Sequence, residues 1–470
     1  MSGLFSSLSA SVGALTAQSR AVEIAGKNLA NVNNPDYARQ RVLIGSLGTV
    51  MTAQGPESMG VAALSIQQLR DSLLDQQVSR ESAKTSYYNA QQQSYQRAEA
   101  GLGQNIDATQ NSSGASSTSD NGVSSAVDDF FNSFQSFAAD PTDPGQRQTL
   151  LQKTSILTDR IQLASQRLTQ VSSDLDSQIS TDVTSSNRLL QTIADLNGQI
   201  SRLEINNPGS AVDLRDQREA DIEQLTAQLP VESRTDATGK VQLFSKDSGG
   251  NDVILVDGSN MLGTVAFTGT QITAGSPATA LALTSGAIQG YLSARDGGVK
   301  SIRDSLDQLA QQLVTSVNAA YNPSGTTGNF FNASGTTSAT IAMDSSVTAT
   351  TLKASDGGAA ADNTVALAVA QLATQKFSIA GGDAIDGSYG GFLSAAVSNL
   401  GQAVAGATAR ATDQSSIEQL VRSQRDGVSG VSLDEETANL LKYQRAFQAS
   451  SRVFNTLDDL LDTVVNHLGA

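Results

Sequence analysis

The chain has 470 residues, enough for about three domains by the usual relation between chain length and domain number. Its formal net charge of −16, from 46 acidic and 30 basic residues, disfavours binding to nucleic acid or to an anionic membrane surface. The absence of cysteine excludes disulfides and thiolate metal sites. Aromatic residues make up only 4% of the chain, so we expect a core of Ala, Leu, Val and Ile, a composition that suits helix-on-helix packing.

The N-terminal stretch lacks the features of a cleavable secretory signal. Its first basic residue is Arg20, and the segment from Ser2 to Thr16 alternates Ser, Ala and Leu without a long apolar run. No segment approaches the roughly 18 uninterrupted apolar residues of a membrane span. The sequence therefore predicts a protein that is cytoplasmic or is exported by a route that reads another signal.

Both ends of the chain carry the apolar heptad pattern of coiled-coil helices, interrupted at Ser19 and Gly26 near the start and at Ser450 near the finish. Chain ends normally fray, so an apolar stripe at each end predicts that the two helices pair with each other and contact neighbouring subunits. The predicted assembly residues are Phe5, Leu8, Val12, Leu15, Val22 and Leu29 in the first helix, and Leu440, Tyr443, Phe447, Phe454, Leu457, Leu461, Val464 and Leu468 in the last.

A line of small residues, Ala14, Ala17, Ala21 and Ala25, follows the N-terminal helix beside this seam. We expect this side of the helix to remain open for neighbouring subunits.

The last helix has a recognisable beginning. Ser432, followed three residues later by Glu435, is a capping box. The neighbouring carboxylates of Asp434 and Glu436 also lie in the first turn, where they complement the positive end of the helix dipole. This role explains the acidic cluster without any catalytic function.

Between the ends, the periodicity predicts helices at 63–100, around Phe130, at 146–206 and at 213–228. The four phenylalanines of the second helix are expected in the core. After Pro230 the sequence changes to β-branched residues and paired glycines.

That change predicts strands, in particular at 240–244 and 253–257. Helices return at 287–320, 363–376 and 390–425.

The predicted fold class is mainly α with an inserted β-rich domain. Nested domains would form an elongated molecule with the terminal helices paired at one end and a central bundle of long helices. The expected domains are a terminal assembly domain (1–36 and 430–470), a helical bundle (37–229 and 286–429) and a small β-rich insertion (230–285).

The segment from Asn28 to Tyr37, NLANVNNPDY, resembles the N-terminal signature of the axial proteins of the bacterial flagellum, the family of rod, hook and hook-associated subunits. The next three residues, Ala38 to Gln40, are similar to the hook-associated protein 1 family within it. The chain departs from the family at Asn34 and Asp36, where Thr and Gly are usual, and Pro-Asp favours a type I turn. The signature residues are Asn28, Asn31, Asn33, Pro35, Tyr37, Ser432, Glu435 and Gln444.

Three further stretches resemble the same family: 429–453, 128–141 and 213–218. In all, the resemblance covers about half of the chain. It does not extend to the predicted β-rich domain or to residues 323–385.

The resemblance implies a structural subunit at the junction between hook and filament. It implies a ring of about eleven copies whose surfaces meet heterologously, with hook protein and hook-associated protein 3 as neighbours. It further implies export through the flagellar type III apparatus to an extracellular location, after a cytoplasmic chaperone has held the C-terminal helix. No cofactor, nucleic acid or membrane partner is expected.

An enzyme, for instance a peptidoglycan hydrolase, is the main alternative. The only histidine is His467, so the Ser-His-Asp and Cys-His arrangements have no support, although paired carboxylates among 46 acids leave glycoside hydrolysis open. Segments 247–252 and 383–387 superficially resemble calcium loops but lack the EF-hand spacing, and we interpret them as polar turns. We predict no catalytic, cofactor or metal residues.

A different axial protein is the second alternative: hook protein, hook-associated protein 3 or an adhesive subunit. The long helix at 146–206 and the Phe-rich helix before it favour the hook-associated protein 1 family.

Overall fold

A computed structural model describes residues 2–52, 55–102, 122–206, 209–236, 239–326, 328–357 and 361–464. The chain forms two compact units. Unit 1 comprises Met1–Thr85, Val183–Gly286 and Gln414–Ala470, and unit 2 comprises Ser86–Asp182 and Ala287–Asp413.

The secondary structure is mostly helical, which confirms the predicted fold class of a mainly α chain with a β-rich insertion. The helices are α1 (Ser2–Ala30), α2 (Ser72–Leu102), α3 (Val123–Ala139), α4 (Pro144–Leu203), α5 (Val212–Gln228), α6 (Gly286–Ala294), α7 (Lys300–Tyr321), α8 (Thr364–Gln371), α9 (Tyr389–Ser429) and α10 (Leu433–Asp462). The strands are β1 (Gln40–Ser46), β2 (Thr49–Thr52), β3 (Gly55–Ser58), β4 (Val61–Gln68), β5 (Glu232–Thr235), β6 (Val241–Lys246), β7 (Asp252–Asp257), β8 (Asn260–Met261), β9 (Ala266–Phe267), β10 (Ile272–Ala274) and β11 (Thr279–Ala280). None of the helices in the described part of the chain combines the length and apolar character needed to span a bilayer.

The two terminal helices pack against each other in unit 1, as the heptad pattern predicts. Asn28 of α1 lies against Glu436 at the start of α10, and Ala21 and Ile24 lie near Tyr443, further along α10. Because residue numbers of the contacting positions rise along α10 as they fall along α1, the two helices run antiparallel.

The helix predicted from residue 63 is wrong at its beginning. Residues 61–68 form β4, which pairs antiparallel with β1, and α2 begins only at Ser72. Asp71 precedes it and accepts a hydrogen bond from the Leu73 N–H at 2.9 Å, as an N-cap does. Ala63 and Ile66 of β4 pack against a hydrophobic cluster formed by Ala21, Ile24 and Val42.

The predicted strands after Pro230 are confirmed. A four-stranded antiparallel sheet has the order β5-β6-β7-β8, and a three-stranded sheet has the order β11-β10-β9. Asn197 of α4 joins the first sheet to the helices by donating to the carbonyls of Val241 at 3.2 Å and Gly258 at 2.9 Å. The predicted domain boundaries remain predictions.

Unit 2 is built around an aromatic core. As expected, the phenylalanines of α3 are buried, and Phe130 contacts Phe134 with ring centroids 5.1 Å apart. Phe330 and Phe331, which follow α7, pack on the same rings, and Tyr389 at the start of α9 stacks on Phe131.

The other long helices also confirm the prediction. The helix predicted at 146–206 is α4. The one predicted at 287–320 is α6 and α7, joined by a single π-helical turn at Arg295–Val299.

Candidate assembly site at the paired chain ends

Asn28, at the end of α1, is almost completely buried and uses its whole hydrogen-bonding capacity. Its Nδ2 donates to the Gln40 carbonyl at 2.8 Å and to Glu436 Oε2 at 3.1 Å. Its Oδ1 accepts from the Tyr37 hydroxyl at 2.8 Å and from the Gln40 N–H at 3.0 Å. One side chain thus joins α1, the loop after it, β1 and α10.

Arg39 completes this arrangement from the other side. Its Nε donates to Glu436 Oε1 at 2.7 Å and its Nη1 to Glu435 Oε2 at 2.6 Å. The Arg39 N–H donates to the carbonyl of Ser429 at 2.8 Å, just before α10 begins. We call Asn28, Tyr37, Arg39, Gln40 and Glu436 the terminal clamp.

The interpretation of the acidic residues as partners of the helix dipole alone is therefore incomplete. Ser432 does cap α10 by accepting from the Glu435 N–H, which is one half of the predicted capping box, whereas the Glu435 carboxylate accepts from Arg39. Glu436, however, is buried against Asn28 and Arg39, so its carboxylate also fixes α10 to the N-terminal segment.

The hydroxyl of Tyr37 remains a donor at physiological pH. Burial raises the pKa of Tyr37 far above its ordinary value, and the negative charges of Asp213, Asp216 and Glu436 raise it further. The hydroxyl therefore stays protonated at physiological pH and donates to Asn28 Oδ1.

A second set of polar contacts joins the clamp to α5. Lys27 Nζ donates to Asp213 Oδ1 at 2.7 Å, and Gln40 Nε2 donates to the same oxygen at 3.0 Å. Arg70, just after β4, donates to Asp216 Oδ1 at 2.8 Å. These contacts give the signature-like stretch at 213–218 a structural role.

The loop between α1 and β1 turns at Pro35. The Tyr37 N–H donates to the Asn34 carbonyl at 3.2 Å, and Asp36 does not have a positive φ. Because a type II turn needs a positive φ at that position, this observation fits the expected type I turn.

A cleft of about 1140 Å³ opens beside the turn within unit 1. Its lining alternates basic and acidic side chains, among them Arg70, Arg215, Glu219, Glu223 and Arg425. Arg425 Nη1 donates to Glu223 Oε2 at 3.0 Å, so charges of the lining are paired with each other.

The remaining signature residues are placed less centrally. Asn31 Nδ2 donates to the Lys27 carbonyl at 2.9 Å and so helps to end α1. Asn33, Pro35 and Gln444 are exposed.

The predicted assembly residues differ in exposure. On α1 two are exposed and four are half-buried: Phe5 and Val12, against Leu8, Leu15, Val22 and Leu29. At the C-terminal end Phe447 is exposed and Leu461 is buried. Five residues are half-buried: Leu440, Tyr443, Phe454, Leu457 and Val464. Leu468 lies outside the described residues. Their role in assembly remains a prediction.

The expectation that the alanine line stays open for other subunits is wrong. Ala17, Ala21 and Ala25 are buried within the chain, and Ala14 is half-buried. Ala21 packs with Val42 of β1 in one hydrophobic cluster. Small side chains here let α1 approach the strands and α10 closely, so this line is the inner face of the helix.

Sequence reasoning missed the roles of Arg39, Gln40, Arg70 and Glu436. Arg39 and Gln40 stood out only as residues that continue the signature. The sequence offers one signal for these contacts: a basic residue follows the first helix, and a group of acidic residues begins the last helix. A single sequence does not show that the two groups contact each other.

The two suspected calcium loops are polar turns, as interpreted. Asp247 Oδ1 accepts from the N–H groups of Gly249 and Asn251 at 2.8 Å each, and Asp383 Oδ2 accepts from the Ser378 N–H at 2.9 Å. Across the described ranges, no group of three or more His, Cys, Asp or Glu side chains could hold a metal ion. His467 lies outside those ranges.

Comparison with protein families first defines the class. The model described as "Flagellar basal body rod FlgEFG protein C-terminal" matches residues 423–467, which include all of α10. The C-terminal helix of the clamp is therefore similar to the C-terminal segment of flagellar basal body rod proteins.

A second model, "Flagellar hook-associated protein FlgK helical domain", matches residues 108–331. Flagellar hook-associated protein 1 of Bacillus subtilis (strain 168) is 26% identical over 526 aligned positions, covering 100% of this chain and 99% of that protein. The protein of the same name from Escherichia coli (strain K12) is 21% identical, covering 96% and 98%. These comparisons confirm the resemblance to the flagellar hook-associated protein 1 family that the sequence predicts.

Among solved structures, the flagellar hook junction protein FlgK from Burkholderia pseudomallei is similar to part of the chain. The match has a TM-score of 0.46 and 23% identity, and it covers 55% of this chain and 46% of that one.

Proposed function

We propose that the chain is a structural subunit of the junction between flagellar hook and filament, and that it assembles with copies of itself through the paired terminal helices. The observation that carries this proposal is the pairing of α1 with α10 while large apolar side chains on both remain uncovered. Phe5 is 56% exposed and Phe447 is 40% exposed. Uncovered apolar surface of this kind marks an interaction site.

The ring would contain about eleven copies, joined by two different surfaces of each chain, as closed cyclic assemblies other than dimers require. Hook protein would contact one side of the ring and hook-associated protein 3 the other. Similarity over the whole chain to flagellar hook-associated protein 1 of Bacillus subtilis supports this position.

Before assembly, α10 needs protection. Its exposed Leu441, Val453 and Leu460 form part of an amphipathic helix of the kind that binds in the groove of a partner. A cytoplasmic chaperone would cover it until the chain leaves through the flagellar type III apparatus for its extracellular location.

The proposal includes no enzymatic activity. It is supported by the structural character of the related proteins and by the pairing of the buried Glu436 carboxylate with Asn28 and Arg39, which gives this carboxylate a structural role. Incubating the purified chain with isolated cell walls should release no soluble fragments.

Deleting the gene and imaging the cells by electron microscopy tests the main proposal. We expect hooks without filaments, with filament subunits in the medium, and normal filaments after the intact chain is supplied again. Normal filaments on the deleted strain would contradict the proposal.

A further inference from the structure

Residues 40–52 and 55–68 form a ribbon that the terminal-helix pattern does not explain. It consists of two antiparallel pairs, β1 with β4 and β2 with β3, and within the described part of the chain neither pair has a third strand. Large apolar side chains project from it and are exposed: Leu43, Leu47, Val50, Met51, Met59 and Leu64. Met51 is the most open of these, at 78%. We call residues 40–52 and 55–68 the ribbon.

The ribbon also lacks the charges that usually protect exposed strands. Arg41 and Glu57 are its only ionisable residues, and Pro56 is its only proline. Natural edge strands commonly carry lysine or proline to prevent pairing with another chain. An exposed apolar ribbon with so few charges needs a cover.

The charge of the whole chain favours a second copy as that cover. Each copy carries −16, so copies repel each other over most of their surface. The ribbon has one positive and one negative side chain, and residues 2–19 of α1 contain no ionisable side chain. Two copies therefore meet with least repulsion at this surface.

The ribbon is continuous with the terminal helices, where assembly is proposed. Ser6 Oγ donates to Glu57 Oε2 at 3.1 Å. Gly60 lies so close to α1 that an added Cβ would be 2.7 Å from the Ala10 Cβ, and at Gly13 an added Cβ would be 2.7 Å from the Val61 carbonyl oxygen. Contacts this close fix the ribbon on α1 and leave its other side uncovered.

We propose that the uncovered side of the ribbon is the docking surface for the exposed face of α10 of a neighbouring copy. Each chain then offers two different apolar surfaces, the ribbon and the α10 face that includes Val453 and Leu460. Contacts between unlike surfaces build rings or helical arrays. This inference rests on the proposed function, because it needs copies side by side.

Cross-linking tests the contact directly, since the chain has no cysteine of its own. The variant Met51→Cys with Val453→Cys is exported and assembled in cells that lack the native chain, and isolated hooks are treated with a short bifunctional maleimide. We expect a ladder of dimers and higher multimers. The matched control joins Val453→Cys to Ile379→Cys in unit 2, whose side chain is 51% exposed, and should remain monomeric.

Absence of multimers from the ribbon pair, or equal multimers from the control pair, would overturn the inference while the proposed function stands, provided the chain is present on the hooks. If the intact chain is itself absent from them, the proposed function fails and the inference with it.

A charge test gives a second readout. Val50→Lys with Met51→Lys should reduce the amount of chain on isolated hooks by about tenfold, because it buries unpaired charges at the contact. Since both side chains are exposed in the free chain, its melting temperature should not change. Ile379→Lys should assemble normally, and assembly of the ribbon variant at the normal level would refute the contact.

Discussion

The aromatic core of unit 2 and the paired chain ends of unit 1 are both apolar, but only the first is complete within one chain. Phe130, Phe134 and Phe330 are fully buried among one another. At the chain ends, Phe5, Val12 and Phe447 remain exposed although α1 and α10 are paired. Unit 2 therefore contains its own source of stability, whereas the terminal helices keep exposed apolar side chains that, in our proposal, other chains cover. Mutations should separate the two roles, stability and assembly.

The largest loss of stability should follow Phe130→Ala. It removes a ring that contacts four others and leaves a cavity, at a cost of about 3–5 kcal/mol in the free energy of unfolding. Urea denaturation measures the change, and Leu163→Ala, at an exposed position of unit 2, is the matched control. A loss for Phe130→Ala below ~1 kcal/mol, the typical cost of a single substitution, would contradict a closed aromatic core.

A smaller loss, about 2 kcal/mol, is expected for Glu436→Ala, because it leaves Asn28 and the partly exposed Arg39 without their buried partner. Hydrogen exchange of the α10 amides reports it, because the clamp fixes the beginning of that helix. Glu435→Ala removes a mostly exposed partner of the same arginine and should cost less than about 0.5 kcal/mol. Equal effects of the two changes would show that the terminal clamp does not hold the helix.

Lowering the pH should weaken the contact between Glu204 and Arg215 by about 1 kcal/mol. Hydrogen bonds from Arg215, and then from the N–H of Ala211, lower the pKa of Glu204 in the folded chain. The stabilisation is therefore present above the ordinary glutamate pKa of about 4.3 and is lost as the pH falls through the lowered folded value. Between about pH 7 and pH 3 the free energy of unfolding, measured with urea, should fall more steeply for the native chain than for Glu204→Gln. The difference should be ~1 kcal/mol, the contribution of one such contact. Parallel curves would contradict the prediction.

The smallest effect on stability is expected for Phe447→Asp, below about 0.5 kcal/mol, because the side chain is already exposed. Its effect on assembly should be large, since a charge would enter the contact between copies. Counting filaments in complemented cells checks this, with Leu163→Asp as the control of similar exposure. The same change at Leu461, which is buried, should lower stability as well as filament number.

The sequence predicted those features that depend on local periodicity. The heptad pattern of Phe5 to Leu29 indicated α1, and the alternation in 253–257 indicated β7. The same method failed for β4, because Val61 to Leu64 is a short apolar run that suits either a helix or a strand.

The contacts of the site could not be predicted in this way. Arg39 and Glu436 are 397 residues apart in the chain, and only the antiparallel pairing of the ends brings them together. The alanine line of α1 was misinterpreted because small side chains allow close packing inside a chain as readily as between chains. Periodicity identifies such a face but does not say what covers it.

The most direct measurement of the central claim is the accessibility of α10 in the free and the assembled chain. A single Val453→Cys replacement puts a thiol at a position that is 54% exposed, on a chain with no other cysteine. A maleimide dye should label it rapidly in the free chain and scarcely at all on intact hooks. Equal labelling in the two states would show that the exposed surface of the terminal helices is not covered by neighbouring subunits.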